Sequence, residues 1–178
     1  HGALGCKELF QPTGDQHSIN FHSHGGDSIN GEFSIAGFGA QVIKFMDDNG
    51  IQESEIFGHS MGGYVGLWMA VNHPNRVSRI KTLGTKLDWN PETSKRESAM
   101  LNPEKIQEKV PKFAAMLESR HGAEWKNLLN RTAEMMIELG NGASLSQSEF
   151  EKIQCPVSIY LGTEDNMVSE QESRLVTS

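Results

Sequence analysis

Apolar and polar positions alternate with a period of two at 17–21, "HSINF", which predicts a strand. Residues 34–49, "SIAGFGAQVIKFMDDN", instead carry apolar side chains at helical spacing, and Gly50 supplies a stop. A short apolar run at 55–57, "EIF", predicts a second strand. From Gly62 the pattern "GYVGLWMAVNH" is helical again until Pro74, and "VSRIKTLG" at 77–84 predicts a third strand. Strand and helix alternate, so the fold class expected is α/β, with a mostly parallel sheet flanked by helices.

The pattern changes at Lys86. Residues 86–153 are charged, methionine-bearing and helix-prone, with two helical stretches predicted over 102–120 and 122–140. Asn102-Pro103 places a proline at the first helical position of one, and Gly140 closes the other. Phe113, Met116, Leu117, Trp125, Leu128, Met135 and Met136 fall on apolar stripes of these helices, a spacing that usually marks core. "CPVSIYLG" at 155–162 predicts a fourth strand, and "VSEQESRLVTS", 168–178, begins a helix. The organisation expected is therefore a core of residues 1–85 and 154–178, with 86–153 inserted as a helical lid.

Composition narrows the function classes. With 178 residues, 37% of them hydrophobic, the chain can bury one real core. The 23 acidic against 16 basic residues give a net charge of -7, a field that repels phosphate backbones and disfavours nucleic-acid partners. No apolar run approaches the ~18 residues a membrane span needs, and no charged-then-apolar leader opens the sequence. Cys6 and Cys155 lie far apart without metal-like spacing and read as free thiols of a reducing compartment. The expectation is a soluble, cytoplasmic domain without a membrane partner, its oligomeric state unspecified.

Gly58-His59-Ser60-Met61-Gly62 fits G-x-S-x-G between a predicted strand and a predicted helix. A sharp strand-to-helix turn strains the backbone at the serine, and bulk two positions either side would block it, so glycine stands at 58 and 62. Such a turn lifts a hydroxyl off the sheet and sets the Met61 N–H at a helix N-terminus, facing any developing oxyanion. A purely structural role for the glycines, easing strand-helix packing, is the plainer alternative. A P-loop is excluded because no lysine follows the glycines, and Gly37-Phe38-Gly39 lacks the third glycine of a dinucleotide fingerprint.

"HGALG" at 1–5, "GHSMGG" at 58–63 followed by "HP" at 73–74, and "LGTEDNMVS" at 161–169 together resemble the α/β-hydrolase superfamily, in its order and across nearly the whole chain. The resemblance implies Ser60 as nucleophile, the Ala3 and Met61 N–H groups as an oxyanion hole, and Asp165 as the acid that orients a histidine. It implies no cofactor and no metal. Since the nucleophile is serine, it points to ester, thioester, lipase-like or carbon-carbon bond hydrolysis of a small molecule through an acyl-enzyme, in the manner of a carboxylesterase. The methionine-rich helices suggest an apolar acyl group.

The sequence departs from the family in its base. The family's histidine follows the acid, whereas His1, His17, His22, His24, His59, His73 and His121 all precede Asp165. The first His-Gly normally follows a third strand and here is residue 1, so the family pattern implies that a longer polypeptide or a partner chain supplies the missing pieces. Without that third strand the strand at 17–21 has no partner toward the centre. Asp88, at the end of "LGTKLDW", is a second candidate acid; Asp165 is preferred because the acid must sit on a rigid turn.

Two further classes fit parts of the sequence. His22-x-His24 with Asp27 superficially resembles the metal segments of metallo-β-lactamase-type hydrolases, but Gly25-Gly26 stands where Asp-His is wanted and a third ligand is missing. The other is a non-catalytic binding protein that keeps the hydrolase pocket and lacks the base.

Overall fold

The computed structural model describes residues 1–27 and 31–174. The end of the helix expected over 168–178 therefore lies outside the described residues. Two compact units can be distinguished: His1–Ala3, Ser34–Asp88 and Leu145–Ser178 form the first, and Leu4–Phe33 with Trp89–Ser144 the second.

The first unit is built on a three-stranded parallel sheet of β1 (Ser54–His59), β2 (Val77–Leu83) and β3 (Val157–Tyr160), in the order β1-β2-β3. The register pairs Ile56 with Ile80 and Gly58 with Thr82, and then Ile80 with Val157 and Thr82 with Ile159, so one face collects the aliphatic side chains. Helix α2 (Met61–Asn72) lies on that face: a Cβ on Gly66 would stand 3.1 Å from the Ile56 side chain and 3.8 Å from that of Ile80. It buries residues on all sides, which is why its sequence shows no polar stripe. Helix α1 (Ile35–Asp48) begins where Ser34 Oγ accepts the Gly37 N–H at 2.9 Å, and it buries Phe38 and Met46. The absent side chain of Gly39 admits the Trp68 ring of α2.

Parallel β-α-β order, the helix over 34–49 and strands at 55–57, 77–84 and 155–162 are thus present with boundaries shifted by a few residues. The strand expected at 17–21 is not formed. Among the described residues no neighbouring strand offers it a ladder, and its polar groups turn to other partners. Asn20 Oδ1 accepts the Lys7 N–H at 2.7 Å, the Ser18 hydroxyl donates to the Lys7 carbonyl at 2.9 Å, and the His24 N–H donates back to the Phe21 carbonyl at 3.0 Å.

The second unit is helical, with α3 (Pro91–Ser98), α4 (Pro103–Lys109), α5 (Pro111–His121) and α6 (Trp125–Glu138). Asn90 and Thr93 form a reciprocal capping box on α3, and Asn102 Oδ1 caps α4 through the Lys105 N–H at 2.8 Å. The helix expected over 102–120 is broken in two. Pro111 has no N–H to give and forces Val110 out of helical geometry, to φ -135 and ψ 60. Ile106, Ala114, Leu117, Trp125 and Leu129 form its core, against which Leu4 and Leu101 pack. Of the apolar stripe read from the sequence, Leu117, Trp125, Leu128 and Met135 are buried, while Phe113 and Met116 reach solvent. Two short helices, α7 (Gln147–Phe150) and α8 (Glu170–Arg174), complete the first unit.

Candidate active site

The ends of the three strands carry the candidate chemistry. Ser60 follows β1 directly and caps α2 with φ 51 and ψ -119, a left-handed backbone that a non-glycine residue rarely adopts. Strain of this kind costs about 1–3 kcal/mol and persists only where the surroundings enforce it. They do so here: the Ser60 N–H donates to the Leu83 carbonyl at 2.8 Å, and its carbonyl accepts the Gly63 N–H at 3.0 Å and the Thr85 hydroxyl at 3.0 Å. The turn closes so tightly that a Cβ on Gly58 would overlap the Gly62 and Gly63 backbone. A serine at a helix N-cap ordinarily spends its hydroxyl on a backbone N–H, but Ser60 makes no side-chain capping bond. Its Oγ is thus not spent on the first turn of α2.

Met61 is the first residue of α2 and is buried, so its N–H belongs to the first-turn donors that no helical carbonyl satisfies. The His1-Gly2-Ala3 turn lies beside the elbow: a Cβ on Gly2 would stand 3.3 Å from the Ser60 Cβ and 3.2 Å from His59 Nδ1. Ala3 follows at once in the same turn.

Asp165 sits in the turn after β3. Its Oδ1 accepts the Met167 and Val168 N–H groups at 2.8 and 2.9 Å, and a Cβ on Gly84, the residue after β2, would stand 3.2 Å from its Oδ2. Gly84 in turn donates its N–H to the Tyr160 carbonyl at 3.0 Å, so Ser60, after β1, and Asp165, after β3, flank the end of β2 in one sheet. Asp88, the other candidate acid, is exposed past β2, between buried Leu87 and half-buried Trp89. Burial pushes the His59 imidazole below its ordinary value of 6.5, opposed by the Asp165 carboxylate.

Two residues of this neighbourhood were not singled out from the sequence. Thr85 is almost fully buried, and its hydroxyl is the one on the Ser60 carbonyl. Glu172, buried in α8, accepts the Leu87 N–H at 3.0 Å and the Ser169 N–H at 3.1 Å, and pairs with Lys86 at 3.5 Å. Burial alone would raise its carboxyl; the Leu87 and Ser169 N–H groups and Lys86 together outweigh burial and hold it below 4.5. The legible signal was Ser169-x-x-Glu172, a capping pattern. Nothing in the sequence marks Thr85.

His22, His24 and Asp27 do not assemble with a further ligand: no group of three metal-binding side chains occurs among the described residues. His24 is buried between Phe33, stacked at 5.8 Å, and Phe21, edge-on at 6.3 Å. Among the described residues no helix is long and apolar enough to cross a membrane.

Comparison with known proteins places these features. Residues 18–178 match the family model described as the alpha/beta hydrolase fold. A 2-hydroxymuconate semialdehyde hydrolase of Pseudomonas putida is 38% identical over 55 residues, which is 31% of this chain and 20% of that protein. Among solved structures, NosK from Streptomyces actuosus superposes with a TM-score of 0.71 at 16% identity, covering 89% of this chain and 68% of that one. The enol-lactonase from Burkholderia xenovorans LB400 gives 0.66 at 20% identity, covering 88% of this chain and 65% of that one. The matches to three curated relatives, this hydrolase among them, span 18–20% of those proteins' lengths. With its parallel strands, its glycine-flanked serine turn and a family match over most of its length, the chain belongs to the α/β-hydrolase fold family.

Proposed function

We propose that the protein is a serine hydrolase that cleaves a small ester, thioester or related acyl substrate, in the manner of a carboxylesterase. The observation that carries this reading is Ser60 itself, in a left-handed N-cap whose hydroxyl does no capping. Ser60 Oγ attacks the acyl carbon while its proton passes to a histidine base. The negative charge that develops on the carbonyl oxygen is met by the Ala3 and Met61 N–H groups. Collapse of the tetrahedral species expels the leaving group, which takes the proton back, and water then releases the acid from the acyl-enzyme by the same steps in reverse order. Asp165, with one oxygen held by two backbone N–H groups, orients the base and stabilises its protonated form. The similarity to a hydrolase of Pseudomonas putida supports the reaction class.

Residues 86–153 are proposed as a helical lid, and their methionine-bearing helices as the reason to expect an apolar acyl group. The two free cysteines accord with a reducing, cytoplasmic setting. The test is intact mass of the native full-length protein before and after a fluorophosphonate probe, with Ser60→Ala alongside. One adduct on wild type and none on the variant is expected. A folded wild-type protein that takes no adduct overturns the reading in favour of a binding role, and an adduct elsewhere overturns Ser60.

A further inference from the structure

We propose, on the reading that Ser60 is the nucleophile, that Thr85 is a positioning residue whose hydroxyl holds the elbow in its reactive conformation. A residue's backbone is fixed by its two flanking peptide groups: φ turns with its N–H side and ψ with its C=O side. At Ser60 both are tied to the segment that ends β2. The N–H is held by the Leu83 carbonyl at 2.8 Å, and the carbonyl is held by the Thr85 hydroxyl at 3.0 Å, two residues further on. The first turn of α2 also reaches that carbonyl, through Gly63 at 3.0 Å and Tyr64 at 3.3 Å. Those two donors move with the helix; Thr85 is the donor that ties the carbonyl to the sheet.

The surroundings are shaped for this bond. A Cβ on Gly63 would overlap Thr85 Oγ1, so glycine at 63 is what lets the hydroxyl reach the carbonyl. Thr85 is 1% exposed, which removes water as a competitor for its proton. The loop that carries it is pinned two residues later, where buried Glu172 accepts the Leu87 N–H at 3.0 Å. Thr82 provides the internal contrast: it is as deeply buried, on β2 three residues before Thr85, and its Oγ1 has no hydrogen-bond partner among the described residues. Burial of a threonine in this region therefore does not by itself produce such a bond.

Freed from Thr85, the peptide after Ser60 can rotate toward an ordinary N-cap geometry, in which Oγ turns to the helix N–H groups. A displacement of ~1 Å at a reacting atom costs on the order of 100-fold in rate. The test measures kcat and KM for an activated ester, and the fluorophosphonate labelling rate, in the native full-length protein and four variants. Thr85→Val and Thr85→Ala remove the hydroxyl, Thr85→Ser keeps it and removes the methyl group, and Thr82→Val makes the same isosteric change at the unpartnered site. Expected are losses of roughly 100-fold in kcat and labelling for the Val and Ala forms with KM unchanged, as befits an interaction that acts on the reacting atom and not on substrate binding. Thr85→Ser and Thr82→Val stay near wild type.

A fast Val form beside slow Ser and Ala forms would show that the methyl group's packing matters, and overturns the proposal, as do unchanged rates throughout. Should the Val and Ala forms fail to melt cooperatively, Thr85→Ser decides: a rate near wild type supports the hydroxyl and a large loss overturns it. A wild-type protein that does not label overturns the nucleophile reading and this inference with it. A labelling wild type with an equally fast Val form overturns this inference alone.

Discussion

At the scale of single residues, the two candidate acids are separated by what holds them. Asp165 has one carboxylate oxygen fixed by two backbone N–H groups at 2.8 and 2.9 Å and the other directed along Gly84, beside the Ser60 turn. Asp88 is exposed past the end of β2, and its backbone N–H reaches Glu172 Oε1 at 3.5 Å. An acid that orients a base must be rigid, because a wandering carboxylate cannot fix a tautomer. Asp165→Asn keeps the Oδ1 acceptor and its turn but removes the charge, so kcat is expected to fall by roughly three to four orders of magnitude with the melting temperature little changed. Asp88→Asn leaves kcat unchanged. Steady-state kinetics on both variants checks this, and the reverse pattern transfers the acid role to Asp88.

At the scale of elements, what could be read from the sequence depended on whether the determinant was local. The β1-elbow-α2 unit was legible because six consecutive residues, Gly58 to Gly63, carry both the glycines and the serine, and because hydrophobic period changes across them. The strand expected at 17–21 failed for the opposite reason: a strand needs a neighbour, and period-two alternation says nothing about whether one is there. The break at Val110 was legible in Pro111 and overridden by the strong apolar spacing on either side. The candidate site was legible in Ser60, Met61, Ala3 and Asp165 as positions, while Thr85 and Glu172 were hidden because their partners are 25 and 85 residues away.

Glu172 also yields an element-scale prediction. One of its oxygens takes the Leu87 N–H and the other takes the Ser169 N–H and faces Lys86. Glu172→Gln preserves one acceptor but sets an NH2 group against the remaining donors. Chemical denaturation at neutral pH should show a loss of about 2 kcal/mol, the scale of a charged hydrogen bond broken in a buried place. A stability within experimental error of wild type would mean that α8 does not anchor the loop carrying Thr85.

At the scale of the whole molecule, each unit carries a buried titratable group, and the two groups act in different pH windows. In the helical unit His121 is 2% exposed, accepts the Gly25 N–H on Nδ1 at 3.1 Å and directs Nε2 at the Leu4 carbonyl at 3.1 Å. Burial holds its pKa below the ordinary 6.5; the Leu4 carbonyl opposes that shift and the Arg120 charge adds to it. Between the folded value and 6.5 the unfolded chain binds a proton that the folded one refuses, so stability there rises with pH. His121 thus costs nothing above pH 6.5 and destabilises its unit progressively as pH falls below it. In the sheet unit Glu172 is held below 4.5, so its contribution is complete above that pH and is lost only as pH falls further. His59 is also held low and adds to the upper window from the sheet unit, which is why the measurement must resolve the units. Amide hydrogen exchange at pH 7.5, 5.5 and 4 is therefore expected to show Leu4–Phe33 and Trp89–Ser144 losing protection between the first two pH values. His121→Gln, which takes up no proton, should remove that loss while leaving the decline below pH 4.5 in place. Equal loss in wild type and variant between pH 7.5 and 5.5 would show that His121 is not the group that sets the acid limit of the helical unit.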